Sequence, residues 1–515
     1  MSVPNREAAD RVNILLPFGG ELTERMLRQP ATSQWAAEEI AAVRTAATEQ
    51  ERADFTSPEI EDSRVQSILR VLVGNQAMRG AMGIADTEGS DTETLNNVAY
   101  VTSSDLNYIG PSAGMALVIP EIGVISVPTP AEGARGAQMV RDTLTAGGVG
   151  DHQVEAAVPV YAAVGLFDDG NEANGLGYAA DAYPVEDEDE RWFEAELTIG
   201  AAAETIPWGV ARVNAPRAWA RGFFGQGIRV AVVDTGVGPH PDLPPPAASA
   251  TFVPGTNSAD DDQGHGTHVA GTILARRNGL GVIGVAPRAQ LLRAKVLDRT
   301  GRGSDTQVAA GIVWAVNNGA RIINLSLGST AASTVIARAL VFARSRGVTI
   351  CAAAGNDSTP TFCAPLIFPA RHPLCIAVAA TDRNNRKATF SCCGPGLDLA
   401  APGVDILSTV RPSGYSTKSG TSMATPHVAG LAAIVLSKRP TLGVAALQAI
   451  LERSAIPLGP LNQFGHGLVQ ADRAIAIAVT EDLPMDEPAA IGPGAGGSGV
   501  GRPVAAGASR GGRQR

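Results

Sequence analysis

The chain has 515 residues, 44% of them hydrophobic and 18% charged, which suits two or three domains with at least one large buried core. Its 41 Lys and Arg against 51 Asp and Glu leave a net charge of -10, so no basic field draws in nucleic acid or anionic lipid. No apolar run approaches the roughly 18 residues of a membrane span, so neither a nucleic-acid nor a membrane partner is expected, and nothing signals the oligomeric state.

The opening Met1-Ser2-Val3-Pro4-Asn5-Arg6 has neither the basic start nor the apolar stretch of a secretion signal. The default expectation is therefore the cytoplasm, with export by another route left open. Residues 1–95 contain helix-like patches such as Ala36 to Arg44 but no motif with chemistry attached, and are read as an accessory region. In 96–165 the pattern changes. Met115 to Ile119 and Gly123 to Val127 read as paired strands around Pro120, Ala134 to Leu144 as a helix, and Val154 to Val160 as one closing strand, giving a small α+β module. Residues 166–200 hold the charge block Glu186-Asp187-Glu188-Asp189-Glu190, a solvated connection, and Glu196 to Ala203 is a plausible place for a processing cut.

From 201 to 480 strand-like and helix-like stretches alternate. Ile228 to Val233 is a β-branched run ended by Asp234-Thr235-Gly236. After it come a helix from His268, a strand Leu291 to Val296, a helix Thr306 to Asn317, a strand Ile322 to Ser326, a helix Val335 to Ser345 and a strand Val348 to Ala353. Such alternation predicts an α/β fold, a three-layer, doubly wound, mostly parallel sheet with active residues at the carboxyl ends of its strands. Residues 481–515 are rich in Gly, Pro and Ala and read as a disordered tail. All five cysteines, Cys351, Cys363, Cys375, Cys392 and Cys393, fall in one window with no zinc spacing. One or two disulfides are expected if the protein leaves the cytoplasm, and buried free thiols if it does not.

Gly420-Thr421-Ser422-Met423-Ala424-Thr425-Pro426-His427 places a serine where a wholly apolar helix begins, beside free amide hydrogens and the positive end of the helix dipole. By itself that is more often a helix cap. A serine nucleophile needs a base, and His265 in Gly264-His265-Gly266-Thr267-His268-Val269-Ala270-Gly271-Thr272 has glycines on both sides that leave room for a substrate. The Glu of a zinc-binding HExxH helix is missing there, so metal is not indicated, and His268 reads as a packed helix residue. His427 and His466 carry no further signal. Asp234, at a strand end, supplies the acid that would orient the imidazole.

Together Val232-Val233-Asp234-Thr235-Gly236, the His265 stretch and the Ser422 stretch resemble the subtilase family of serine peptidases, from about residue 200 to about 475. The resemblance implies an endopeptidase that cuts through an Asp-His-Ser triad and an acyl-enzyme, needs no cofactor for its chemistry, and is made as a self-inhibited precursor. It implies that Asn356, in Ala352-Ala353-Ala354-Gly355-Asn356, donates to the oxyanion. Gly301 and Gly303, with Ser326, Leu327 and Gly328, are the edge segments that would grip an extended polypeptide. Ala353, Gly355 and Ile367 would line the main specificity pocket, which Ile367 makes shallow. Asp242, Asn278 and Glu204 match a structural Ca²⁺ site. The 96–165 module is similar to the later part of an inhibitory propeptide, a partner made by the chain itself. A dedicated maturation protease for one partner, and a binding protein that has lost activity, are the other readings of the same sequence.

Overall fold

The computed structural model describes residues 11–17, 25–27, 37–52, 62–82, 98–100, 107–109, 115–150, 152–163 and 204–480. The acidic block, the 196–203 stretch and the tail lie outside the described residues. Six strands come first: β1 (Arg11–Leu15), β2 (Val98–Tyr100), β3 (Asn107–Ile109), β4 (Ala116–Ile119), β5 (Val124–Pro128) and β6 (Gln153–Ala156). All but β3 form one sheet in the order β2-β4-β5-β1-β6. The module that the sequence reading begins at residue 96 thus takes its central strand from the far end of the chain: β1 pairs antiparallel with both β5 and β6.

The alternation of a strand decides what each face of this sheet meets. Val12, Ile14, Ile125 and Val127 share a core with Val65, Ile68 and Leu72 of helix α2 (Asp62–Gly74) and with Val140 and Leu144 of helix α3 (Gly133–Ala146). Leu15, Leu117, Ile119 and Val124 instead join the core of the following domain. A sheet covered on both faces reads as unbroken apolar runs, as β4 and β5 do.

The sequence reading has one strand over Val154 to Val160, but the chain breaks at Ala157 and Val158. β6 stays in the module, and β7 (Pro159–Ala162) crosses to the next domain. There it lies antiparallel between β11 (Arg302–Ser304) and β13 (Leu327–Gly328), in a sheet of order β11-β7-β13. Pro159 has no N–H to give a ladder and stands at the first position of its strand, where that costs nothing.

The large sheet has the order β16-β15-β14-β12-β8-β10-β9, all neighbours parallel, with β3 added beside β9. Its strands are β8 (Arg229–Asp234), β9 (Ala248–Thr251), β10 (Gln290–Lys295), β12 (Ile322–Leu325), β14 (Thr349–Ala353), β15 (Cys375–Thr381) and β16 (Leu399–Pro402). From β8 the chain goes out to β9, comes back through β10 beside β8, then crosses to β12 and runs outward to β16, so the strand order reverses about β8, at whose carboxyl end Asp234 stands. One face carries helices Asp305–Asn317 and Thr334–Ser345, and the other carries helices His265–Leu274 and Thr421–Lys438. This is the expected three-layer α/β fold. The Thr421–Lys438 helix is buried from Thr421 through Leu436, which explains why it shows no polar face. Cys363 and Cys393 form a disulfide, and Cys351, Cys375 and Cys392 are free and buried.

Candidate active site

Three elements converge at the end of β8. Asp234 is its last residue, His265 opens its helix, and Ser422 is the second residue of its own helix. His265 Nδ1 lies 2.8 Å from Asp234 Oδ1, with both side chains buried. The backbone N–H of Thr235 also donates to Asp234 Oδ1, at 2.7 Å. This close packing requires a glycine after the histidine, because a Cβ on Gly266 would overlap the Gly236 carbonyl and come within 3.1 Å of the Asp234 side chain. Around the pair, Asp261 accepts from Thr235 Oγ1 at 2.9 Å, from Gly264 N at 2.7 Å and from both Thr267 N and Oγ1, and so fastens the loop to the strand end.

Ser422 Oγ does not bond to His265 in this state. It donates to the Ala163 carbonyl, and also lies 3.1 Å from the Ser326 carbonyl, while His265 Nε2 is buried without a partner among the described residues. Asn356 Nδ2 donates to the same Ala163 carbonyl at 2.7 Å. The amide orientation is fixed from behind: Thr421 N and Thr421 Oγ1 both donate to Asn356 Oδ1, at 2.9 and 3.0 Å, so Nδ2 must face Ala163. The sequence reading singles out no role for Thr421 beyond its place at the helix start. Its signal was available, since it directly precedes Ser422.

The segment Pro159 to Ala163 lies in the groove as a short extended peptide. Tyr161 pairs with Arg302 and Gly328, Val160 with Gly303, and Ala162 with Leu327. Ala162 N donates to the Gly301 carbonyl and Ala163 N to the Ser326 carbonyl, at 2.9 and 3.0 Å. All five expected grip residues, Gly301, Gly303, Ser326, Leu327 and Gly328, therefore touch a backbone or frame the groove. The side chain of Ala163 shares a small apolar cluster with Ala353 and Ile367. Ile367 fills the space between two glycines, because a Cβ on Gly328 would overlap its Cδ1 and one on Gly355 would sit 2.8 Å from its Cγ2. Nothing in the sequence reading anticipated Ala163.

Two histidines set aside from the sequence are structural. His268 Nε2 lies 2.9 Å from the Ile406 carbonyl and 3.2 Å from that of Ser416, and burial holds its pKa well below the ordinary value. His427 is likewise buried, which lowers its pKa to about 4, and its Nδ1 faces the Met423 carbonyl.

The three calcium candidates lie together around one loop. Asp242 Oδ2 accepts from Val282 N at 2.9 Å and from Tyr415 Oη at 3.2 Å, while its Oδ1 is buried without a hydrogen-bond partner among the described residues. Burial raises the pKa of this carboxyl, and the Asn278 side chain is within hydrogen-bonding reach of it. Glu204 Oε1 accepts from Asn278 N and Gly279 N, at 2.6 and 2.9 Å, so it closes the loop. Among the described residues no three His, Cys, Asp or Glu side chains form a metal cluster. The donors here are one carboxylate oxygen without a partner among the described residues and a side-chain amide, oxygen ligands of the kind a hard cation takes.

The sequence matches the subtilase family of peptidases (Peptidase S8) over residues 225–467. The chain is 47% identical over 283 residues to the alkaline protease of Alkalihalobacillus alcalophilus, across 55% of this chain and 73% of that one. It is 48% identical over 272 residues to subtilisin BL of Lederbergia lenta, across 53% of this chain and 99% of the relative. With subtilisin E of Bacillus subtilis (strain 168) it shares 43% over 274 residues, across 53% and 72%.

Proposed function

Since the chain belongs to the subtilase family and is a serine endopeptidase acting on polypeptides, we propose that it is made as a precursor whose own Ala163–Val164 bond is its first substrate. The observation that carries this is the Ala163 carbonyl, held by Asn356 Nδ2 with Ser422 Oγ against it, at the end of a strand paired on both sides in the groove. Ser422 Oγ turns its hydrogen from the Ala163 and Ser326 carbonyls to His265 Nε2, gives up its proton there and bonds to the Ala163 carbon. Asp234 keeps the proton on Nδ1 and stabilises the imidazolium. The oxyanion is met by Asn356 Nδ2 and the Ser422 backbone N–H. Collapse breaks the C–N bond to Val164, whose amine takes the proton from Nε2, and water then releases the acyl group by the reverse steps.

On this reading residues 1–163 are both the first substrate and the inhibitor left in the groove. Residues 164–203 remain on the catalytic side until a second cut, for which 196–203 is the expected place. The pocket around Ala163 also describes the preferred substrate: a small side chain before the scissile bond, because Ile367 occupies the space a larger one would need. One Ca²⁺ held by Asp242, Asn278 and loop carbonyls would supply a fixed charge to the loop that Glu204 closes. The test is the purified chain beside Ser422→Ala. Wild type yields a fragment ending at Ala163, and the variant stays whole. An identical fragment from both would mean that another protease makes the cut.

A further inference from the structure

Residues 25–27 and 37–52 reach the catalytic domain at a place that is neither the groove nor the module's sheet. Helix α1 (Ala37–Arg52) places Ile40, Val43, Ala46 and Ala47 on one face, while Ala41, Ala42 and Thr45 are exposed on the other. That apolar face and the fully buried Met26 share a core with Leu366, Leu374 and Phe464 of the catalytic domain. The fit at Gly396 is close, since a Cβ there would meet Ile40 Cδ1 at 3.2 Å.

Polar contacts fix the register of this contact. Arg44 Nη2 binds Asp398 Oδ1 at 2.5 Å, and Arg44 Nε donates to the Pro373 carbonyl at 3.2 Å. The Asp398 side chain is 3% exposed and also accepts from Ala377 N and Gln448 Nε2, at 2.8 and 3.4 Å. Glu452, which lies 3.6 Å from His466, is close enough to Asp398 for the two carboxylates to repel, and Arg44 faces both. The His372 ring lies 3.2 Å from the Met26 carbonyl. Without α1, a buried carboxylate loses this cation and several apolar side chains meet water, a state the catalytic domain avoids by keeping α1 in place.

We propose that Met26 and α1 are a second anchor that keeps the cleaved N-terminal fragment on the enzyme when β7 leaves the groove. Two grips on one body hold the vacated strand at high local concentration, so the groove is refilled faster than the fragment escapes. Active peptidase then emerges after the cut, on the timescale of anchor release. The inference rests on cleavage at Ala163–Val164, and its test separates the two.

The full-length chain is refolded and two clocks are read: fragment formation by mass spectrometry, and hydrolysis of a chromogenic peptide. In wild type the cut precedes activity by a measurable lag. Arg44→Ala and Ile40→Ala leave the rate of the cut unchanged and shorten the lag at least threefold, whereas Arg44→Lys keeps it near wild type. Final activity per active site is the same in all, because the substituted residues depart with the fragment. A cut at the normal rate with an unchanged lag in both alanine variants, or wild-type activity that rises together with the cut, overturns the anchor. No cut at Ala163–Val164 in wild type overturns the precursor reading itself, and the anchor with it.

Discussion

Val230 and Val232 of β8 share an apolar core with Val428, Leu431 and Val435 of the Ser422 helix, whereas the seam between that domain and the N-terminal module sets polar groups beside the apolar residues the two share. Asn13 Nδ2 donates to Asp305 at 3.2 Å, and Thr306 Oγ1 donates to Asn13 Oδ1 at 2.6 Å. Arg338 Nη1 donates to the Leu16, Ile122 and Gly123 carbonyls, at 2.8 to 3.2 Å. Asn317 Nδ2 and Thr334 Oγ1 donate to Glu121 and Glu155 of the module. Opening the core would expose hydrocarbon at about 25 cal/mol per Å² with nothing in return. Opening the seam also bares Leu15, Leu117, Ile119 and Val124, but there each protein hydrogen bond is traded for one to water, a net loss of about 1.5–3 kcal/mol where a charged group takes part. The seam is thus mixed where the core around β8 is apolar, and water can replace its polar share when the two parts separate.

The comparison is sharpened first at the groove, where both regions meet. Asn356→Ala removes the side chain that holds the Ala163 carbonyl beside Ser422. It should lower kcat by about 10² to 10³, the loss known for the matching residue of subtilisin, with little change in KM on a chromogenic peptide. Next in size is Ile367→Gly, which empties the space beside Gly328 and Gly355. The ratio of kcat/KM for Phe over Ala before the cut should rise at least tenfold. An unchanged ratio would place the specificity wall elsewhere.

On the catalytic side alone, a chelator should lower the Tm of the activated enzyme by several degrees, as loss of a ligand specific to the folded state requires. Asp242→Asn should abolish that sensitivity. The seam, in turn, should respond to pH. Burial raises the pKa of Asp305 from 3.8 to about 6, and its near neighbours Asn13, Ser333 and Thr306 are uncharged, with Glu155 of the module on the adjoining Thr334. A carboxyl whose pKa is higher in the closed state is held best when protonated. The grip is therefore firmest below pH 3.8, weakens as pH rises to about 6, and is flat above. The lag between cut and activity should be several-fold shorter at pH 7 than at pH 5, and Asp305→Asn should flatten that difference.

The catalytic domain was legible because its evidence is local. A β-branched run ending in Asp234, glycines about His265 and an apolar helix after Ser422 each sit within a dozen residues, and their partners are placed by the fold. The N-terminal module was only half legible. β1 stands alone in sequence, is covered on both faces and pairs with strands more than a hundred residues away, so no hairpin signal marks it. The break between β6 and β7 was hidden for the same reason. Val154 to Val160 reads as one strand, and only the distant edges Arg302–Ser304 and Leu327–Gly328 pull its second half away. Thr421 was visible but its use was not, since a threonine before a helix ordinarily caps it.

The most direct test of the precursor account is the N-terminal sequence of the catalytic fragment that wild-type protein first releases in purified form. Val164 as the first residue is the result expected from the Ala163 carbonyl held by Asn356 and Ser422. A first product that begins at any other residue, with the Ala163–Val164 bond still intact, would contradict it.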